Sequence, residues 1–430
     1  MKKEIRELKS YLLLWATQAF SGLGSGMTSF ALVLWLYQTS GSALQTALMS
    51  VCSYAPYVVM SIFAGTLSDR WDKRRTMLVC DLLAAMSTVA ILILYKTGQL
   101  APWHMYLLNA LNGLMNTVQR PASDVAATLL APPEYYQKTS GLRSFSSSLT
   151  TILTPVIASA VYAFAGMDMI IAFDLFTFAV AFGVLLWFIR IPEPPKREEQ
   201  QEKLLEAAKA GLKWLRQNPL ILSLIFFLAW INLVASAFDA ALPAYLLSVP
   251  NGGETVLGLV QSCAGIATLV GSVIVTLSPK PRNRVRVVCI TLMISMSTEN
   301  FLLAFSRSPF IWCVGSILGW LSIPLMNANL DVIMRTSIPA GMQGRVFSCR
   351  NTLQFFTIPL GFLLGGWMVD DVFEPLMTLA QPEGIAARLF GIGKGSGAAA
   401  FFLLLGFAGV AVCVWYWVKL RKYTWTENNQ

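Results

Sequence analysis

Gly65-Thr66-Leu67-Ser68-Asp69-Arg70-Trp71-Asp72-Lys73-Arg74-Arg75 is a compact run of charge between two apolar runs, 43–67 and 76–95, each long enough to cross a bilayer. Arg70, Lys73, Arg74 and Arg75 mark this turn as cytoplasmic, because loops facing the cytoplasm carry the excess of Lys and Arg. Gly65 lets backbones approach closely, and Asp69 can cap or pair locally. The stretch reads as a hinge between two membrane helices. On charge alone a pure topology signal stays open.

Working outward, apolar runs of about 20 residues or more fall at 11–37, 43–67, 76–95, 103–125, 140–166 and 169–189. A second set falls at 220–247, 255–277, 285–305, 309–333, 345–368 and 396–418. The expectation is an all-α integral membrane protein of about 12 spans in two six-helix halves, 1–190 and 219–430, joined by a cytoplasmic linker, 191–218. The run from Tyr11 is read as the first membrane helix, since it continues to Tyr37 without a small-x-small cleavage site.

The totals agree. With 55% hydrophobic and 13% charged residues and a mean hydropathy of +0.59, the chain must hide apolar surface in lipid. The net charge of +9 does not point to nucleic acid, because the cations are sided. If successive loops alternate sides, 27 of the 32 Lys and Arg lie in segments on one face. Lys96, Arg307, Arg388 and Lys394 lie on the other, and Arg120 falls inside a run. Both termini are therefore expected in the cytoplasm. The seven cysteines sit almost entirely in apolar runs without C-x-x-C spacing or a nearby His, so neither disulfide frame nor metal site is expected.

Within the linker, Leu204, Leu205, Ala208, Leu212 and Leu215 recur at helical spacing, giving an amphipathic helix over 198–217 along the inner interface. Asp124-Val125 with Pro132 recurs as Asp331-Val332 with Pro339, as two related halves should show. The 370–395 loop is rich in Gly and Pro and is read as a surface cover.

Polar groups within spans face a bundle interior or a water-filled cavity. Asn109, Asn112, Asn116 and Gln119 or Arg120, three to four residues apart, form one stripe on the fourth helix. Hydrogen bonding between helices is the alternative reading of this stripe. Arg120 lies too deep for a topology charge and needs an anionic partner; Asp124, one turn on, would supply a fixed ion pair. Asp239, past the middle of the seventh helix and just before Pro243, is the favoured protonatable group, because an ionised carboxylate is costly away from water. Asp174 and Glu299 are its rivals, with structural hydrogen bonding as their competing role. His104, at an outer helix end, reads as a polar anchor.

The opening stretch resembles the loop signature of the major facilitator superfamily, G-x-L-(small)-D-R-x-G-R-(basic), between the second and third helices. Asp72 replaces the signature's Gly, a position where Asp tolerates left-handed turn geometry better than most residues. With Cys80-Asp81-Leu82-Leu83-Ala84, Gly22-Leu23-Gly24-Ser25, Phe30-Ala31-Leu32-Val33-Leu34-Trp35 and Thr39-Ser40-Gly41-Ser42-Ala43-Leu44, the chain is similar to the macrolide-efflux (Mef-type) branch of the drug:proton antiporters. Gly344-Arg345-Val346-Phe347-Ser348 and 359–366 look like that branch's eleventh helix.

The resemblance implies a central cavity lined by helices one, four, seven and ten. Its substrate-binding candidates are Gln18; Asn109, Asn112, Asn116 and Gln119; Asn232 and Asp239; Asn327, with Asn329 beside it. It implies proton coupling through Asp239, Arg120, Asp174 or Glu299. It also implies a gate formed by Gly65, Asp69, Arg70, Arg74, Asp124, Asp331 and Arg335. In that gate Asp69 lies against the helix start 341–345, and Asp124 pairs with Arg74.

The expected function is secondary active export of an amphipathic organic molecule, of macrolide or multidrug type, by proton antiport with alternating access. The expected location is the cell membrane. The partners are a small amphipathic substrate, protons and the lipid bilayer, with no cofactor, no nucleic acid and a monomeric chain. Siderophore export and lysophospholipid transport remain alternatives, with an integral membrane enzyme as a remote one.

Overall fold

A computed structural model of the protein describes residues 8–192, 204–279, 281–339, 342–379, 381 and 383–421, with backbone alone at 61–70, 133, 137, 204, 205 and 207. No strand occurs among the described residues. The chain runs through α1 (Lys9–Ser40), α2 (Ala43–Arg70), α3 (Lys73–Lys96) and α4 (Pro102–Leu130), then a long helix Tyr136–Trp187. Gly166 divides that helix, because its backbone, at φ 74° and ψ −174°, leaves helical geometry in a region only Gly enters cheaply. The two crossings are α5 (136–165) and α6 (167–187).

Then follow α7 (Leu204–Gln217), α8 (Pro219–Leu246), α9 (Glu254–Leu277) and α10 (Arg284–Phe305). The tenth crossing is two segments, α11 (Pro309–Leu321) and α12 (Ile323–Ser337), broken where Pro324 opens the second. The eleventh is likewise α13 (Gln343–Phe355) and α14 (Thr357–Trp367). Short helices α15 (Glu374–Thr378) and α16 (Ile385–Phe390) precede α17 (Ser396–Leu420).

Ten of the described helices are long and apolar enough to span a membrane. Twelve crossings result, since Tyr136–Trp187 counts as one of those ten but holds two, and α4 has the length without the hydropathy.

Contacts group the chain into two units, Met1–Leu36 with Cys52–Gln201, and Tyr37–Val51 with Glu202–Gln430. In the first, Leu14 of α1, Met77 of α3, Ala122 and Ala126 of α4 and Leu185 of α6 form one buried cluster. Met27, Ala31, Ala158 and Ile170 join α1 to α5 and α6. In the second unit α8 is the centre. It packs on α14 and α17, and most of its side chains are buried from Ile221 to Leu246.

The charged turn resolves differently from its sequence reading. Asp72 is not left-handed; at φ −59° it is the N-cap of α3, its Oδ1 accepting from the Arg75 N–H at 2.6 Å. The 370–395 segment is more than a cover. Asp370 accepts from the Ala43 and Leu44 N–H groups at 2.9 and 2.8 Å and from Ser42 Oγ at 2.6 Å, satisfying the orphan donors that begin α2. Glu374 does the same for α17 through the Gly395 and Ala398 N–H groups.

Of the linker helix expected over 198–217, residues 198–203 lie outside the described residues. The remainder is α7, whose Gly211 sits against α13 and whose Lys209, Lys213 and Arg216 are exposed.

Candidate functional site

The first unit encloses a cavity of about 310 Å³ lined by α1, α2, α3, α4 and α6. α2, α3 and α6 contribute a few polar groups each, while α1 brings Gln18, Ser21, Ser25, Thr28 and Ser29. α4 contributes the longest stripe: Asn109, Asn112, Asn116, Gln119, Arg120 and Ser123 all line the space. On its other faces α4 buries Met105, Gly113, Val118, Ala122 and Ala126. The stripe thus faces space while the apolar residues face neighbours, the division that burial of apolar surface favours.

Two carboxylates enter the cavity. Asp174 of α6 is 3% exposed and accepts from Ser25 Oγ at 3.0 Å, Thr28 Oγ1 at 2.9 Å and Thr88 Oγ1 at 3.4 Å. Gly24 makes this possible: a Cβ there would lie 2.5 Å from Thr177 Oγ1 and 2.9 Å from the Asp174 Cα, so α1 and α6 meet backbone to backbone. Asp81 of α3 is half-buried and accepts from the side-chain amides of Gln18, at 3.3 Å, and Gln119. Gln18 and Gln119, on α1 and α4, therefore converge on one carboxylate.

The sequence reading used Asp81 only as part of a motif. Its signal was nevertheless present, because Asp81 is the one charged residue in the apolar run 76–95.

Arg120 lines the same cavity, is exposed, and makes no ion pair among the described residues. The expected i,i+4 pair with Asp124 does not form. Asp124 pairs instead with Arg143 of α5, both side chains about half exposed. The Asp124–Arg74 pair is also absent. Arg74 donates to the Leu185 and Leu186 carbonyls, unsatisfied acceptors at the end of α6. Asp331 and Arg335 pair with one another at 2.7 Å, one helical turn apart. The side chains of Gly65, Asp69 and Arg70, and residue 341, lie outside the described residues, and with them the expected Asp69 contact.

In the second unit, Asp239 is exposed although its neighbours on α8, Ser236–Phe238 and Ala240–Leu246, are buried. It accepts no hydrogen bond among the described residues. Glu299 of α10 is 6% exposed, accepts from the Trp320 indole N–H at 3.2 Å, and lies close enough to Asp239 for their charges to interact. Asn232 donates to the Gln354 carbonyl at 3.1 Å. Asn327 borders an open cleft with Asp331 and Arg350. Asn329 points elsewhere, its Oδ1 accepting from Arg284 at 3.0 Å. His104 accepts from the Ala101 N–H through Nδ1 at 3.1 Å, fastening the start of α4.

A multi-span chain, helical throughout its described regular structure and with a polar cavity inside its apolar bundle, has an architecture suited to a membrane transporter. The chain is a member of the Major Facilitator Superfamily, whose family model matches residues 14–362. It is similar to macrolide efflux protein A of Streptococcus pyogenes, 24% identical over 370 residues that cover 85% of this chain and 90% of that protein. It is also similar to the multidrug efflux pump Tap of Mycolicibacterium fortuitum, 24% identical over 364 residues, 81% and 87% of the two chains.

Among solved structures it shares its fold with an inward-facing, unoccupied bacterial homologue of the human lysosomal transporter Spinster. The TM-score is 0.70 at 14% identity, over 98% of this chain and 99% of that one. A bacterial homologue of the iron transporter ferroportin gives 0.64 at 16% identity, over 94% and 99%.

Proposed function

We propose that the protein exports amphipathic organic molecules of the macrolide or multidrug type by proton antiport. The observation that carries this reading is the first unit's cavity, where amides, hydroxyls, carboxylates and one guanidinium face a space inside otherwise apolar helices. The names of the efflux relatives support the substrate class. In the first unit Asn109, Asn112, Asn116, Gln119 and Gln18 contact substrate; in the second, Asn232 and Asn327 are the substrate-contacting residues. Asp239 carries the proton, with Glu299 beside it; Arg120 and Asp174 are the other candidates for coupling. The protein acts as a monomer in the cell membrane with both termini cytoplasmic, and alternating access exposes the substrate to each side in turn. The gate comprises Gly65, Asp69, Arg70, Arg74, Asp124, Asp331 and Arg335, with Asp124 acting through Arg143.

The test is proton movement in proteoliposomes across an imposed pH step, on adding a macrolide and a panel of cationic dyes. Drug-evoked flux in the wild type that is lost in Asp239→Asn is the expected result. Equal flux in both discards Asp239. Absence of flux with every compound removes the drug-export reading and turns attention to siderophores and lysophospholipids.

A further inference from the structure

The two carboxylates of the first unit's cavity differ in what surrounds them. Asp174 is closed off: three hydroxyls occupy its two oxygens, the residue is 3% exposed, and α1 lies against its backbone at Gly24. Its oxygens are met by these hydroxyls although the residue borders the cavity.

Asp81 has the same charge but only two donors, one on each oxygen, and both are terminal amides of flexible side chains. It is half-buried and faces the cavity. Each carboxylate oxygen has two acceptor directions, so two of Asp81's four are in use. No cation lies within salt-bridge distance of Asp81 among the described residues, although Arg120 lines the same space.

A second observation points the same way. Asn112 Oδ1, on the α4 wall of this cavity, is a buried acceptor without a hydrogen-bond donor. Buried acceptors left unsatisfied are costly and rare in folded proteins. The cavity therefore presents a carboxylate short of donors in walls that also carry Leu32, Ile91 and Phe178, with the Asn112 Oδ1 acceptor buried within the α4 wall. A ligand that completes it brings hydrogen-bond donors and positive charge on an apolar body.

We infer that Asp81 is the substrate-recognition carboxylate of this transporter, accepting from the N–H of a protonated amine on an amphipathic molecule. Gln18 and Gln119 hold the Asp81 carboxylate in place and, being neutral, leave its charge for the ligand. Asp174 ties α1, α3 and α6 together and does not meet the substrate. This inference rests on the exporter reading and deepens it.

The test is equilibrium binding to the full-length protein in nanodiscs, read by fluorescence polarisation of two dyes. Rhodamine 6G is a lipophilic cation with N–H donors, and Nile red is an uncharged fluorophore. Asp81→Asn keeps the size of the side chain and removes the charge. It is expected to weaken rhodamine 6G binding by about tenfold or more, one decade in affinity being one ordinary charge-assisted contact, while Nile red binding stays within about twofold. Retained Nile red binding shows that the variant is folded, and Asp81→Glu is expected to recover part of the rhodamine affinity.

The inference is overturned if Asp81→Asn binds rhodamine 6G as wild type does, if both dyes weaken in parallel, or if wild type binds Nile red alone. Wild type that binds neither dye removes the exporter reading and this inference with it.

Discussion

In the first unit, Asp81 and Asp174 are solvated by the protein itself, through amides and hydroxyls on three neighbouring helices. In the second, Asp239 has no donor among the described residues, and Glu299 is held by an indole N–H, close to a second carboxylate. A carboxylate with neutral donors keeps its geometry whether or not anything else binds. One without donors must be met by water, a proton or a ligand, so its state changes as the site is filled. The contrast is the ground on which we propose anchoring and recognition in the first unit and proton exchange in the second.

The widest separation is expected in coupling. Asp239→Asn should lower drug-evoked proton flux by more than about tenfold, whereas Asp174→Asn keeps it within about threefold, in keeping with acid–base groups being worth about two decades or more in function. Equal losses in the two variants would erase the difference between the units.

Stability should run the other way. Asp174→Ala removes the acceptor of the Ser25 and Thr28 hydroxyls inside the bundle, Thr88 keeping the Ala84 carbonyl, and is expected to cost about 2–4 kcal/mol, read as a fall in the melting temperature of the detergent-solubilised protein. Asp239→Ala should cost less than about 1 kcal/mol, since it strands no donor. A larger loss at Asp239 would break the comparison from the structural side.

A third measurement sharpens it within the second unit. A Cβ at Gly319 would lie 2.8 Å from both Cβ and Oε2 of Glu299. Gly319→Ala should therefore push that carboxylate off the Trp320 indole at a cost of about 1–3 kcal/mol, visible as a shift in tryptophan emission.

The smallest effects belong to the helix ends. Asp370→Ala is expected to cost about 1–2 kcal/mol and Asp72→Ala about 1 kcal/mol, since each removes an N-cap. Asp370 comes first because it serves two backbone donors and a hydroxyl.

Membrane spans are legible in a sequence because lipid imposes one local rule: a run of apolar residues long enough to cross, with backbone groups satisfied within the helix. The runs 140–166 and 169–189 accordingly anticipated a break that falls at Gly166, between α5 and α6. The α4 stripe was legible for the same reason, since its spacing is a property of one helix.

Partner choice was not. Arg74, Arg120 and Arg143 are all chemically able to meet Asp124, and only the packing of α5 and α6 decides that Arg143 does. Asp72 was misread because Gly in a family signature suggests left-handed backbone, whereas Asp supplies a cap in extended geometry. Asp81 was overlooked because its two donors lie 63 and 38 residues away on other helices. Nothing in its local sequence announces them.

The polarity of α4 also has a consequence for how the protein is made. A segment carrying Asn109, Asn112, Asn116, Gln119 and Arg120 falls short of the hydropathy that lets the other long helices enter a bilayer unaided. During synthesis it must partition alongside an earlier neighbour, and α3, which packs against it and presents Asp81 to Gln119, is placed to escort it. A glycosylation-mapping reporter should then insert α4 poorly when it is offered alone, and better when α3 precedes it.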